Sequence, residues 1–270
     1  MSEPRLELDG ERVHARLLPE RGTHGGFSLV INGTTQSHVN PGDPLDLQLE
    51  YTRLITAVID GCHDAGEPLR VLHLGAGALT IPRYVGATRP GSVQHVVELH
   101  RELLDFVLEV LPLEDDVELT VEFDDGRAAV QRAARTGGGY DVAIVDVFSG
   151  SISPRHMSTV EFFTELRDLL APDGIIVVNT LATAGLEMSR EVVATLRTVH
   201  PEVLALASPA VVAGSSLGNV VIAAGPIPLP GRRIHAHAGA GPRPIDLLEG
   251  DELTGFIAGA SARHDGDDVD

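Results

Sequence analysis

The sequence predicts an α/β fold in which a mainly parallel β-sheet lies between two layers of helices. Short apolar segments of strand length alternate with amphipathic segments of helical spacing from about residue 70 onward. The apolar content of 43% is that of a globular protein with a substantial core. The chain has 270 residues, which suits one large domain or an α/β domain with a smaller appendage.

A small antiparallel β unit is expected at the start of the chain, over residues 1–45. Residues 27–31 form a compact apolar run, and Asn32-Gly33 follows it. Asn-Gly between two extended segments favours a tight hairpin, here joining 28–31 to 34–38. The cluster Pro-Gly-Asp-Pro at 41–44 then ends the hairpin unit.

The main domain is assigned to residues 46–225, and it opens with a helical pattern over 47–62. The expected strands are 70–74, 93–98, 117–123, 141–146 and 174–180, with late strands at 203–206, 211–213 and 219–224. The expected helices are 80–87, 101–111, 126–136, 159–170 and 189–199. This regular alternation is typical of a doubly wound, mainly parallel sheet.

Residues 226–270 are rich in Pro, Gly and His and are expected to form a partly disordered extension. A short helix is predicted over 246–258, and disorder over 264–270. His235 and His237 suggest a metal site, but no Cys or carboxylate lies at ligand spacing. A mobile, solvated stretch is therefore favoured, and no metal is expected.

The net charge of −19 argues against binding to nucleic acids or anionic membranes. It would suit a cationic small molecule, although acidity also serves simply to keep a protein soluble. The first residues lack the apolar core of a signal peptide, and no apolar run has the length of a membrane span. A cytoplasmic location is expected. The single cysteine, Cys62, excludes an intrachain disulfide.

The first predicted strand of the main domain ends in a glycine turn, Gly75-Ala-Gly77. Glycines there let the backbone approach a ligand closely, as in Rossmann-like folds. The position of the third glycine of a dinucleotide-binding turn is Thr80, which argues against a bound pyrophosphate. A ligand without phosphate, such as S-adenosylmethionine, suits this turn.

Acidic residues follow the next two strands. Glu98 ends the second strand, about twenty residues after the turn, where a carboxylate can accept hydrogen bonds from both ribose hydroxyls. Asp125 follows the third strand and could accept from an adenine amino group, while Gly126 beside it leaves room for the ring. Asp125 also suits the N-cap of the next helix.

Asp146 ends the fourth predicted strand, directly after four apolar residues. A carboxylate at the carboxyl edge of an open sheet lies where ligands bind, and it could position an amine and accept its proton. Residues 150–158 then form a polar loop that is a candidate lid.

Together with Tyr51 and the segment Asn32-Gly-Thr-Thr-Gln36, this ordered set resembles the spermidine synthase (polyamine aminopropyltransferase) family over roughly residues 27–224. The family transfers an aminopropyl group from decarboxylated S-adenosylmethionine to putrescine. The resemblance implies a sheet of the adenosylmethionine-methyltransferase type, a small-molecule amine acceptor and a homodimer. It also implies roles for the matched residues: Gly75, Gly77, Glu98, Asp125, Gly126 and Gln36 at the nucleoside, Tyr51 between donor and acceptor, and Asp146 as the base.

Three departures concern the half of the site that handles amines. Ala78 stands where the family has an Asp that binds the donor, and Thr52 replaces the family's usual residue after Tyr51. Ser149 replaces the second Asp of the family's Asp-x-x-Asp motif. These indicate a spermidine synthase-like protein with degenerate amine-binding motifs. Three functions remain open: an aminopropyltransferase acting on some amine, a methyltransferase using intact S-adenosylmethionine, which Ala78 favours, or an inactive nucleoside-binding homologue.

Overall fold

The computed structural model of the chain describes residues 4–8, 13–20, 25–114, 117–135, 137–148, 154–182 and 186–267. Its strands are β1 (Arg5–Leu8), β2 (Val13–Pro19), β3 (Phe27–Ile31), β4 (Thr34–Val39), β5 (Arg70–Leu74), β6 (Val93–Glu98), β7 (Glu118–Phe123), β8 (Tyr140–Val145), β9 (Leu170–Ala182), β10 (Glu202–Ala207), β11 (Gly218–Gly225) and β12 (Asp246–Leu248). Its helices are α1 (Glu50–Cys62), α2 (Thr80–Thr88), α3 (Arg101–Val110), α4 (Gly126–Ala133), α5 (Val160–Arg167), α6 (Glu187–Val199), α7 (Pro209–Val212), α8 (Gly231–Ala238) and α9 (Gly250–Ile257), with one 3₁₀ turn at Arg155–Met157.

Within the described residues, β1 to β4 form an antiparallel sheet in sequence order. The predicted hairpin is confirmed: β3 pairs with β4, and Ile31 lies opposite Thr34. Asn32 and Gly33 both have positive φ, at 49° and 83°, as the tight turn requires. The inner face of this sheet packs against α3 and against Ala78, which brings β4 beside the glycine turn.

The larger sheet has the strand order β12-β10-β11-β9-β8-β5-β6-β7 within the described residues. Its five strands from β9 to β7 pair in parallel, as predicted, whereas β11, β10 and β12 pair antiparallel. The chain runs outward from β5 to β6 and β7 on one side, and to β8 and β9 on the other. The carboxyl ends of β5 and β8 therefore meet at a topological switch point, where ligands bind in open α/β sheets.

The sheet is apolar on both faces because helices cover both of them. In β8, Val142 and Ile144 pack on the side of α1 and α8, while Ala143 and Val145 pack on the side of α5 and α6. All four side chains are buried. This packing fixes the end of β8, and with it the position of the residue that follows, Asp146.

Two element predictions were wrong. Residues 211–213 are not a strand, because α7 occupies 209–212 and begins with Pro209, a residue favoured in the first turn of a helix. The segment 246–258 is not one helix, because β12 joins the sheet edge before α9 begins. Helix α4 ends at Ala133, and residue 136 of its predicted range lies outside the described residues.

The extension after residue 225 is folded as far as residue 267, contrary to the expected partial disorder. Helix α8 packs on α1 through Ile234, which is fully buried. His235 and His237 lie in α8, and the ring of His235 is hydrogen-bonded to the carbonyl oxygen of Ile245. The expected disordered end at 264–270 is in part packed too, since His264 contacts Glu161 of α5, and residues 268–270 lie outside the described residues.

None of the helices in the described ranges combines the length and the apolar character that crossing a membrane requires.

Candidate functional site

The predicted site residues of three strands meet around the glycine turn after β5. Glu98, the last residue of β6, lies opposite Phe123 of β7, and its carbonyl oxygen accepts from the amide of Asp124 at 3.1 Å. The amide of Asp146, just after β8, donates to Leu74 at 3.0 Å. Asp125 follows Asp124 directly, so Glu98, Asp125 and Asp146 all lie at the carboxyl ends of parallel strands, at the same edge of the sheet.

The two glycines of the turn are required by geometry. Gly75 and Gly77 have φ of 96° and 52°, values that other residues rarely adopt. A Cβ at Gly75 would overlap the carbonyl oxygen of Asp146, and one at Gly77 would overlap Oγ of Ser37. The turn is therefore packed directly between the end of β8 and the N-terminal sheet.

Glu98 is oriented by the backbone on both sides. It is 8% exposed. Its Oε2 accepts from the amide of Ala76 at 3.0 Å, and its Oε1 accepts from the amide of His100 at 2.9 Å. Each carboxylate oxygen has a second lone pair, so both retain the capacity to accept from a ribose hydroxyl.

Asp125 is the N-cap of α4, as the sequence predicted. Its Oδ1 accepts from the amide of Ala128 at 3.0 Å, and its Oδ2 lies 2.9 Å from Nε2 of His156. Partial burial would raise the pKa of Asp125, but the hydrogen bonds from Ala128 and His156 outweigh it and hold the pKa below its usual value. Asp125 is thus an ionised acceptor.

His156 was missed by the sequence analysis. It lies in the 3₁₀ turn that follows the loop proposed as a lid, of which residues 150–153 lie outside the described residues. Its contact with Asp125 depends on the path of that loop, and no spacing rule gives this path. The neighbouring Met157 fills the space beside Gly126, where a Cβ would overlap the Met157 methyl group. Gly126 therefore makes room for a side chain of the protein itself.

Asp146 is a partly exposed carboxyl next to the buried end of β8. Burial raises its pKa to about 6, although a hydrogen bond from Asn179 Nδ2 to Asp146 Oδ1, at 2.8 Å, works in the opposite direction. Asn219 in turn donates to Asn179 Oδ1 at 3.1 Å. The sequence analysis missed both asparagines, although the polar Asn179 directly after four apolar residues was an available signal.

Tyr51 and Gln36 lie on the side of the N-terminal sheet. The hydroxyl of Tyr51 donates to the backbone oxygen of Gln36 at 2.9 Å. Burial, followed by the charge of Asp146, raises the pKa of Tyr51 far above its usual value, so the phenol stays neutral. The side chain of Gln36 is half-buried on β4.

Strand β4 is also joined to the glycine turn and to α2. Ser37 Oγ accepts from the amide of Ala78 at 3.2 Å, and Thr80 Oγ1 donates to the carbonyl oxygen of His38 at 2.7 Å. Ser37 is a further residue that the sequence analysis did not identify. The N-terminal sheet therefore forms one wall of the site.

Among the residues whose placement is described, no group of three or more His, Cys, Asp and Glu side chains is arranged to hold a metal ion.

Relatives of known structure share this architecture. The chain superposes on a probable spermidine synthase from Corynebacterium glutamicum with a TM-score of 0.85 and 30% identity, over 96% of this chain and 95% of that one. Human methyltransferase-like protein 13, solved in complex with SAH, matches with a TM-score of 0.59 and 19% identity, over 82% of this chain and 97% of that one. At that identity, the second match shows the fold alone.

Curated sequences point the same way. A polyamine aminopropyltransferase of Vibrio vulnificus is 28% identical over 144 residues, which are 53% of this chain and 48% of the relative. An N-terminal histidine N-methyltransferase of Emericella nidulans is 29% identical over 134 residues, 47% of this chain and 24% of that protein. The match thus spans about half the length of the Vibrio protein and less of the other.

The sequence model of the spermine/spermidine synthase domain matches residues 49–222, which include Tyr51, the glycine turn and all three carboxylates. The resemblance seen in the sequence is confirmed: the chain belongs to the spermine/spermidine synthase family.

Proposed function

We propose that the chain is a transferase that binds decarboxylated S-adenosylmethionine or S-adenosylmethionine and transfers an aminopropyl group to a small amine, with Asp146 as the base. The observation that carries the proposal is Asp146 itself. It is a partly exposed carboxyl with a pKa raised to about 6, and it lies beside the glycine turn. The aminopropyltransferases among its relatives support the same reaction.

The nucleoside half of the site would be held by Glu98 and Asp125. Both carboxylates are aimed by backbone amides, so they are preorganised to accept hydrogen bonds from a sugar and from the amino group of a base. His156 is hydrogen-bonded to Asp125 Oδ2. When the adenine binds, this oxygen must either accept from both His156 and the adenine or lose its contact with His156. Gln36 on β4 would lie on the nucleoside side, and Tyr51 between donor and acceptor.

The amine half of the site would work through Asp146. An alkyl ammonium has a pKa of about 10, so it must lose a proton before it can act as a nucleophile. Asp146 accepts this proton, and the nitrogen lone pair attacks the carbon bonded to the donor's sulfonium. The carbon–sulfur bond breaks, and its electrons remain on sulfur as a neutral thioether. A carboxyl with a pKa near 6 is a stronger base than an ordinary aspartate and is still ionised near neutral pH.

Methyl transfer is the second candidate. Ala78 is fully buried in the glycine turn and brings no negative charge to it. The carboxylate of intact S-adenosylmethionine would therefore meet no repulsion there. The methyltransferases among the relatives support this alternative.

Calorimetry with decarboxylated S-adenosylmethionine, S-adenosylmethionine and methylthioadenosine separates the two reactions. Tighter binding of the decarboxylated donor favours aminopropyl transfer, and tighter binding of the intact donor favours methyl transfer. Mass spectrometry of the amine product then identifies the group transferred. If none of the three ligands binds, the proposed nucleoside site is wrong.

We expect Asp125→Ser to weaken nucleoside binding by about tenfold or more, because one hydrogen bond to a charged acceptor is worth roughly 1.5–3 kcal/mol. Serine keeps an oxygen for the helix cap, so the fold of α4 is preserved. Asp105→Ser, at an exposed position on α3, is the matched control and should bind as the wild type does. If the Asp125→Ser variant and the wild type bound the nucleoside with equal affinity, adenine would not be hydrogen-bonded to Asp125.

We expect Asp146→Asn to retain nucleoside affinity and to lose transfer activity by about 10²-fold or more, the usual contribution of a general base. Isothermal calorimetry and a coupled product assay measure the two properties on the same preparation. Transfer within about tenfold of the wild-type rate would show that another group takes the proton.

A further inference from the structure

The strand ends around Asp146 contain one formally charged residue, Asp146 itself. We define the acceptor wall as the carboxyl ends of β8 and β9 and the beginning of β11, which lie at the same edge because β11 is antiparallel. These ends comprise residues 146–148, 179–182 and 218–220, and Asp146 is the one charged residue in their sequence.

The two connections that leave these strands do not add an anion. Residues 149–153 read Ser-Gly-Ser-Ile-Ser, and residues 183–185 read Thr-Ala-Gly. Both lie outside the described residues, but neither contains a charged residue whatever its position. The charged residues that follow the first connection, Arg155 and His156, are basic.

Neutral amides occupy the positions next to Asp146. Asn179 Nδ2 donates to Oδ1 of Asp146 at 2.8 Å, and Asn219 lies behind Asn179. Oδ2 of Asp146 has no hydrogen-bond partner among the described residues. The acceptor wall therefore offers one carboxylate oxygen to a bound ammonium.

Two carboxylates in the segments that follow β4 and β9 are engaged elsewhere or exposed. Asp46 accepts from Asn40 Nδ2 at 3.1 Å and also from Gln48, and Glu187 is exposed in the first turn of α6. Water and salt screen such charges. The raised pKa of Asp146 agrees, because burial raises it against the opposing hydrogen bond from Asn179 and no charged group among the described residues contributes.

One carboxylate neutralises one ammonium. A second ammonium on the same ligand would lose its hydration and would have no carboxylate to pair with. In a partly desolvated site this carries a large free-energy cost. An acceptor whose far end is neutral avoids this cost. We propose, on the basis of the function proposed above, that the acceptor is a primary amine with a single positive charge rather than a diamine or polyamine.

The test compares 4-amino-1-butanol with 1,4-diaminobutane, which have the same length and differ in the charge of one end. The full-length protein is first saturated with methylthioadenosine, and each amine is then titrated by calorimetry near pH 8, where both amines are protonated. We expect the amino alcohol to bind at least about tenfold tighter, and kcat/KM with the donor to follow the same order. Equal or tighter binding of the diamine would overturn the proposal.

Asn179→Asp supplies a second carboxylate to the acceptor wall. We expect it to shift the preference toward the diamine by at least about tenfold relative to the wild type. Asn32→Asp adds the same charge in the distant β3–β4 turn and should leave the preference unchanged. If Asn179→Asp does not fold, Asn219→Asp replaces it. A variant that folds and shows no shift counts against the charge argument.

The two proposals fail in distinguishable ways. If methylthioadenosine does not bind, the proposed function is wrong, and this inference is wrong with it. If methylthioadenosine binds and neither amine does, the single-charge acceptor is wrong, while the nucleoside site stands.

Discussion

At the scale of single residues, the protonation of Asp146 affects the stability of the fold. Its pKa is about 6 in the folded protein against an ordinary value of 3.8, because burial disfavours the charged form. The native state therefore binds this proton more tightly than the unfolded chain. The contribution of protonated Asp146 to the free energy of unfolding is therefore complete below about pH 4, and it is lost as the pH rises through about 6.

We expect Asp146→Asn to be more stable than the wild type near pH 8, by up to about 3 kcal/mol, since each pKa unit corresponds to about 1.4 kcal/mol. The asparagine can still accept the hydrogen bond from Asn179, so the neutral side chain loses little. Urea unfolding of both proteins between about pH 4 and pH 8 measures the difference, which should vanish at the acid end.

Asp168→Asn, at an exposed position after α5, is the control and should show no such trend with pH. A less stable Asp146→Asn variant near pH 8 would mean that the carboxylate stabilises the fold and is not desolvated.

Residue identity predicted part of the candidate site. Glu98, Asp125 and Asp146 follow strands whose apolar pattern is plain, so their placement at one edge could be expected. The partners Asn179, Asn219 and His156 come from other strands and from a loop. Their contacts depend on strand order and loop path, which local pattern does not specify.

At the scale of elements, the glycine turn is held between β8 and the N-terminal sheet. Two features restrict position 77 to glycine: its φ is 52°, and Ser37 Oγ occupies the space that a Cβ would need. Gly66, in the turn before β5, has a φ of 77° and open space around it. The two positions share backbone strain and differ in crowding.

We expect Gly77→Ala to weaken nucleoside binding by about tenfold or more, since the turn must move away from β4 to relieve the overlap. Gly66→Ala carries similar backbone strain and should bind the nucleoside as the wild type does. Calorimetry with methylthioadenosine measures both variants. Equal affinities would show that contact with Ser37 does not set the geometry of the turn.

Most elements were predictable because their signals are local. The Asn32-Gly33 hairpin and the five parallel strands follow from turn chemistry and apolar runs. The strand predicted over 211–213 was wrong because three apolar residues are too few to show a period. Pro209 instead begins a short helix there.

At the scale of the whole molecule, the segment after residue 225 completes the fold. It supplies α8 on one face of the sheet and β12 at its edge. Composition suggested disorder, since Gly, Pro and His are frequent there. A few apolar residues, among them Ile234, anchor the segment because they are buried against α1.

We expect Ile234→Ala to lower the free energy of unfolding by about 2–5 kcal/mol, the usual cost of truncating a fully buried aliphatic side chain. Ile227→Ala, in the same segment but 52% exposed, should change it by about 0.5 kcal/mol or less. Urea unfolding monitored by circular dichroism measures both variants. Similar small effects would indicate that the segment does not contribute to the core.

The sequence alone determined the α/β class, the hairpin, the glycine turn and the order of the carboxylates along the chain. These depend on residues close together in sequence, so periodicity and turn chemistry reveal them. Only the tertiary structure decided that the last three strands pair antiparallel, that β4 forms a wall of the candidate site and that Asn179 is hydrogen-bonded to Asp146, a carboxyl with a raised pKa. Those features arise where distant segments meet and exclude water, and neither burial nor its effect on a charge exists until the chain has folded.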